Sequence, residues 1–247
     1  MNKTLFAFTL CLTLLAPRLI ADEKPEDAPK PPSKFLLKTG GVIVEPIDGK
    51  PGIKLLNAQA KVPAELLAGL SPEMQKLYRI PVRTDKAEAA GSAIRLAAKA
   101  AADSEVLALV LLCEDPDLPA LMVAPEGKWA IVNVTALASD QPAAELLQQR
   151  VSKEIWRAAT HVLGASNSEF PVCLMKPVFS LSDLDALKAE MICFEPLAGV
   201  RQQLAALKVE MLRQTSYRKA VLEGWAPPPA NEIQQGVWNE LKKEAAD

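Results

Sequence analysis

The sequence predicts a small mixed α/β domain, one twisted sheet packed with helices and followed by a loop-rich C-terminal part. Three observations predict it. Residues 105–114, "EVLALVLLCE", form a continuous apolar run, the pattern of a strand covered on both faces. Residues 142–163 carry Leu147, Val151, Ile155, Ala158 or Ala159, and Val162 at helical spacing, the buried stripe of one long helix. Around them the texture alternates helix, strand, helix, strands, helix, with no internal repeat.

The elements follow in order. Residues 35–56 hold short apolar runs separated by Gly-Gly, Asp-Gly and Pro-Gly turns, which predicts short strands in an N-terminal extension spanning 35–61. Its glycines match neither a dinucleotide-binding nor a phosphate-binding loop. "PAELLAGLSPEMQKLY" (63–78) predicts a helix broken at its proline, "RIPVR" (79–83) a short strand, and "KAEAAGSAIRLAAKAAAD" (86–103) an alanine-rich helix. The strand at 105–114 comes next. Residues 119–137 read as two strands around a Pro-Glu-Gly turn, a hairpin at the sheet edge. Asp140 or Gln141 is expected to cap the long helix and Gly164 to stop it. A short acidic segment (180–191), a second long helix (197–214), the breaker "GWAPPPANE" (224–232) and an amphipathic tail helix (232–244) complete the chain.

Charge and address bound the function. Lys plus Arg number 28 against 30 Asp plus Glu, with no basic cluster interleaved with aromatics, so no nucleic-acid partner is expected. Residues 1–21 combine Lys3, an apolar run from Leu5 to Leu15 and Ala21, the pattern of a cleaved secretory signal. The run is short for a membrane span, so export is expected and no transmembrane segment. Residues 22–34, "DEKPEDAPKPPSK", hold too little apolar surface to offset their chain entropy and read as a disordered tether. Cys113, Cys173 and Cys193 remain after signal removal, an odd count that suggests one pair and one buried or reactive thiol.

The stretch "WRAATHVLGASNSEFPVCLM" (156–175) holds His161, the one histidine in 247 residues, and Gly164. His161 and Gly164 reproduce the centre of HExxHxxGxxH, in which a helix sets two zinc-binding histidines at i and i+4 and a glycine turns the chain toward the third. Cys173, Met175 and, after seventeen further residues, Cys193 continue the spacing. Over residues 62–215 the chain resembles the archaemetzincins, a family of metzincin zinc peptidases. The resemblance implies a zincin-like domain at 62–215, with a C-terminal tail at 216–247. It also implies that Met175 lies in the turn below the former metal.

The departures from the family pattern are specific. Arg157 stands for the first metal-binding histidine, Ala158 for the general-base glutamate and Asn167 for the third histidine. The four-cysteine second zinc site reads Ser168, Cys173, Cys193 and Pro196. Catalytic zinc needs about three protein ligands and an open position. A guanidinium about 4 Å from a divalent ion repels it by about 8 kcal/mol at an effective dielectric near 20. No metal and no other cofactor is therefore expected. Glu154 is expected to form a helix-surface ion pair with Arg157. His161 is expected to be hydrogen-bonded in the former metal cavity. Cys173 and Cys193 are the disulfide candidate; two thiolates alone fall short of a closed tetrahedral site, though a retained metal stays open. Cys113 reads as a core thiol, with a Cys113 and His161 pair as the unconventional enzymatic alternative. The acids Glu114, Asp115 and Asp117 read as a solvated loop, with calcium as the alternative.

The expectation is an exported, catalytically inactive metzincin-fold protein, not an enzyme, that binds an extended peptide or protein along its hairpin edge or serves a structural role. The alternatives are a residual or recast hydrolase, or an interaction protein acting through its extension and its tail.

Overall fold

The computed structural model describes residues 42–44, 49–88, 91–188, 192–229 and 232–244, with side chains from 49 to 241. The expected signal segment 1–21 and tether 22–34 lie outside the described residues.

Five strands build the main sheet: β2 (Gly52–Asn57), β3 (Val82–Lys86), β4 (Val106–Cys113), β5 (Leu121–Ala124) and β6 (Trp129–Asn133). Their spatial order is β3-β2-β4-β6-β5, parallel throughout except for the antiparallel β5. The mixed α/β class thus follows, and the apolar run at 105–114 is the central strand. Along it, side chains alternate between faces. Ala108, Val110 and Leu112 enter the larger core with the helices α1 (Ala64–Tyr78) and α4 (Ala144–Val162). Leu109, Leu111 and Cys113 join a smaller core with α2 (Ala93–Ala101). Each fully buried valine or leucine among them contributes about 1.5–3 kcal/mol.

Several boundaries differ from the sequence reading, each for a physical reason. Gly52–Asn57, expected in an N-terminal extension, pair with both β3 and β4 and form a central strand. Ile53 and Leu55 are buried in the larger core and Leu56 in the smaller. A Cβ at Gly52 would collide with the Pro81 carbonyl, so glycine permits the strand to start where it does. Helix α1 continues through Pro72 without breaking. An interior proline costs about 3 kcal/mol, and the burial of Leu67, Leu70, Met74 and Tyr78 on one stripe outweighs it.

The second long helix is displaced. It runs as α6 (Phe194–Ala206), and the chain turns away at Lys208, which has positive φ. Between α4 and α6 lies α5 (Leu181–Ala186), capped by the Ser180 hydroxyl, which accepts from the Asp183 amide. A short helix, α3 (Val134–Leu137), separates β6 from α4.

A second, two-stranded sheet joins the two outer parts of the chain. β1 (Val42–Val44) pairs antiparallel with β7 (Gln214–Ser216). After β7 come α7 (Tyr217–Leu222) and α8 (Glu232–Glu244). Tyr217 stacks at 6.5 Å from Trp238 and donates its hydroxyl to the Pro227 carbonyl, so the proline-rich breaker folds the tail helix back on α7. Val42–Val44, read as part of an N-terminal extension, is thus hydrogen-bonded to Gln214–Ser216.

Candidate functional site

Helix α4 has two unlike faces. Val151, Ile155, Ala158, Ala159 and Val162 face the sheet in the larger core. The other face presents Arg150, Lys153, Glu154, Arg157 and His161; each lies three or four residues from another of the set, so they share one stripe. All but His161 are at most 5% exposed. Lysine, arginine and glutamate are rarely this buried unless paired, and here the pairing comes from the chain that crosses the helix.

Arg150 is held by two carboxylates. Its Nη1 and Nη2 donate to Asp140 at 2.6 and 2.8 Å, and its Nε and Nη2 to Asp185 at 2.8 and 2.7 Å. Its Nη1 also donates to the Leu137 carbonyl at 2.8 Å. These partners hold the guanidinium's proton more tightly than usual. Asp140 is therefore an arginine partner; the capping position of α4 falls on Ala143, which has no side-chain cap. Lys153 donates to the Leu184 carbonyl at 2.6 Å, and burial pulls its ammonium pKa down.

Arg157 donates from Nη1 to the carbonyls of Leu174 (2.8 Å) and Lys176 (2.7 Å) and from Nε to Glu154 (3.3 Å). The pair with Glu154, expected on the helix surface, is buried, with side chains 5% and 3% exposed. Burial pushes the Glu154 carboxyl up, partly opposed by the nearby Arg157. His161 places Nδ1 3.0 Å from the Ala165 carbonyl, so that nitrogen carries the proton. Burial lowers its pKa.

The turn after α4 depends on Gly164, whose φ is +92°. Left-handed backbone there lets the chain reverse, and a Cβ would press on Gln203 of α6 at 3.1 Å. Ala158 is wholly buried against the sheet, Asn167 is exposed, and Met175 is wholly buried in the larger core. Ser168 is buried; its amide donates to the Met175 carbonyl and its hydroxyl to Glu195. Cys173 and Cys193 are disulfide-bonded, with Cα atoms 5.4 Å apart, and Pro196 is buried in the first turn of α6.

These residues do not fit a three-histidine catalytic zinc. The chain has one histidine, the Arg157 guanidinium one turn before it is anchored to the Leu174 and Lys176 carbonyls, and Asn167 is exposed. Among the described residues, no group of three or more His, Cys, Asp or Glu side chains stands where it could hold a metal ion. The acids of the 114–117 loop serve the backbone instead. Glu114 accepts from the Lys61 amide and Asp115 from the Asp117 amide. Asn133, unremarked in the sequence, ties that loop down by donating to the Asp115 and Leu118 carbonyls, both at 2.6 Å.

Cys113 and His161 are not brought together. Cys113 points into the α2-side core, while α4 and His161 lie on the other side of the sheet. Burial pushes the Cys113 thiol up to about 11, the state of an inert thiol.

Comparison with known proteins gives the fold a reference. The chain is similar to archaemetzincin structures. With archaemetzincin from Methanopyrus kandleri it shares 21% identity over 65% of this chain and 98% of that one, at a TM-score of 0.49. With a zinc-dependent peptidase from Methanocorpusculum labreanum the values are 19%, 60%, 100% and 0.47. With archaemetzincin from Archaeoglobus fulgidus, complexed with malonate, they are 18%, 60%, 98% and 0.44. No protein-family pattern and no curated protein matches the chain. One expectation is corrected here. The residues alone read as those of a protein that is not an enzyme; the solved structures similar to it include a zinc-dependent peptidase, which overturns that reading. No helix among the described residues is long and apolar enough to cross a membrane.

Proposed function

We propose that this protein is an exported peptide-binding protein of the metzincin fold that takes an extended segment along the outer edge of β5. The observation that carries the reading is the position of that strand. β5 ends the strand order, pairs with β6 alone among the described strands, and packs beside α4. An edge strand presents unpaired N–H and C=O groups that an extended chain can complete, with pockets for alternate side chains supplying selectivity. Leu121, Met122, Val123 and Ala124 are all half-buried, an apolar rail suited to alternate apolar side chains. The Cys173–Cys193 disulfide supports an oxidising compartment.

A synthetic library of alternating apolar and polar hexapeptides, screened by hydrogen exchange, tests the reading. Binding is expected to protect the amides of 121–124. Protection confined to the opposite edge strand β3, or none at any peptide concentration, would sink it.

A second reading is a recast hydrolase, and Glu154 favours it. A buried carboxyl with a raised pKa, beside Arg157 and two turns from His161, has the character of a general acid or base. Mass spectrometry of the same library after incubation separates the two readings. Cleavage lost in Glu154→Gln, with peptide binding retained, would select the hydrolase.

A further inference from the structure

The buried charges of α4 share a cover. The Leu174 and Lys176 carbonyls hold Arg157, the Leu184 carbonyl holds Lys153, and the Asp185 carboxylate holds Arg150. All four partners lie between Cys173 and Cys193 in sequence, the loop that the disulfide closes. From these contacts we infer that residues 173–188 form a strap across α4 and that the Cys173–Cys193 disulfide is its redox latch, opened by a dithiol reductant.

Two forces hold the strap. Its own side chains Leu174, Met175, Leu184 and Leu187 are buried. The charged contacts add little, because Arg150, Lys153, Glu154 and Arg157 regain water when uncovered, which offsets the pairing they lose. The balance between closed and open therefore rests on the apolar plugs and on the covalent tie. Removing the tie increases the freedom of the open strap and shifts the population toward it.

The geometry favours exchange at one sulfur. Cys193 is half-buried, whereas Cys173 is wholly buried, so an incoming thiolate meets Cys193 Sγ. Attack forms a mixed disulfide with Cys193 and breaks the Cys173–Cys193 bond, and Cys173 leaves as a thiolate. The Cys193 amide already donates to Cys173 Sγ at 3.2 Å, and Cys193 is the N-terminal cap of α6, so a backbone donor and a helix N-terminus face the leaving sulfur. The second thiol of the dithiol then displaces Cys193. The reductant ends as its own disulfide, the two cysteines as thiols, and two electrons and two protons are transferred.

Hydrogen exchange on the full-length protein, with and without dithiothreitol, tests the latch. On reduction, amides 173–188 are expected to exchange on the order of tenfold faster, while β4 and β6 keep their protection. Lys153 is expected to become acylable by an N-hydroxysuccinimide ester only in the reduced protein. The double variant Cys173→Ala, Cys193→Ala should match the reduced pattern in both conditions. Unchanged exchange at 173–188 and an unlabelled Lys153 after verified reduction would overturn the proposal. So would loss of protection across the whole sheet, which would make the bond a staple of the entire fold.

Discussion

Arg157 and Leu174 are joined by a 2.8 Å hydrogen bond from guanidinium to carbonyl, which fastens the turn below α4 to the helix itself. The same guanidinium faces Glu154. Cation, carboxylate and turn form one unit, and its members should respond together to substitution.

Arg157→Met leaves the Glu154 carboxylate buried without its cation. Losing one member of a buried pair costs about 3–5 kcal/mol. The double variant Arg157→Met, Glu154→Gln removes the stranded charge and should recover most of that loss, measured as a double-mutant cycle by urea unfolding at pH 7. Falling pH should relieve the single variant, because a protonated Glu154 needs no cation. A simple sum of the two single losses would show that the pair does not act as a unit.

His161 gives a pH dependence with a definite sign. Burial disfavours the imidazolium in the folded protein, so the folded ring binds its proton at lower pH than the unfolded ring, whose value is 6.5. The contribution of the neutral ring is complete above pH 6.5 and is lost as pH falls from there through the folded value. As the protein has one histidine, a single imidazole resonance reports it. Its midpoint should lie below 6.5, and His161→Gln should flatten stability in that window relative to the parent. A midpoint above 6.5 contradicts the buried, neutral ring.

What the sequence discloses divides along physical lines. Val106–Cys113 was legible because a strand covered on both faces leaves an unbroken apolar run. The hairpin was legible because its turn residues punctuate two such runs, and the disulfide was a candidate because two thiolates fall short of a metal site and an exported chain favours their pairing. Short strands were legible around β2, but its place was hidden: nothing local states that it lies between β3 and β4. The charged row of α4 was hidden for a different reason. Arg150, Lys153 and Arg157 at helical spacing give the same pattern whether water or the strap covers them, and only tertiary contact distinguishes the cases. Asp140 was misassigned as a cap because short acids before a helix do cap it; here a buried arginine competes for it.

Asn133 should tolerate neither truncation nor charge. Its amide donates to the Asp115 and Leu118 carbonyls and its Oδ1 accepts from the amides of Asp115 and Thr135. Asn133→Ala loses these bonds at a wholly buried position, an expected cost of about 1–3 kcal/mol. Asn133→Asp keeps the acceptor, but sets a carboxylate against two carbonyls and should cost more at pH 7. Thermal unfolding of both variants checks the order. If aspartate is milder than alanine, the donor bonds do not hold the loop.

Arg150 offers the sharpest contrast between charge and shape. Its side chain is 1% exposed, yet its partners differ: the Asp140 side chain is 51% exposed and that of Asp185 31%. Water screens the Asp140 pair most, so Asp140→Ala should be the mildest of the four variants. Asp185→Ala also frees the end of α5 and should cost about 1.5–3 kcal/mol. Arg150→Lys keeps the charge but loses the fork, since an ammonium cannot meet two carboxylates and the Leu137 carbonyl in these directions. It should fall between Asp185→Ala and Arg150→Ala, which loses every bond of the fork. Chemical denaturation of the four variants under one buffer gives the ranking. A lysine variant as stable as the parent would show that charge alone, without the paired bidentate geometry, joins α5 to α4.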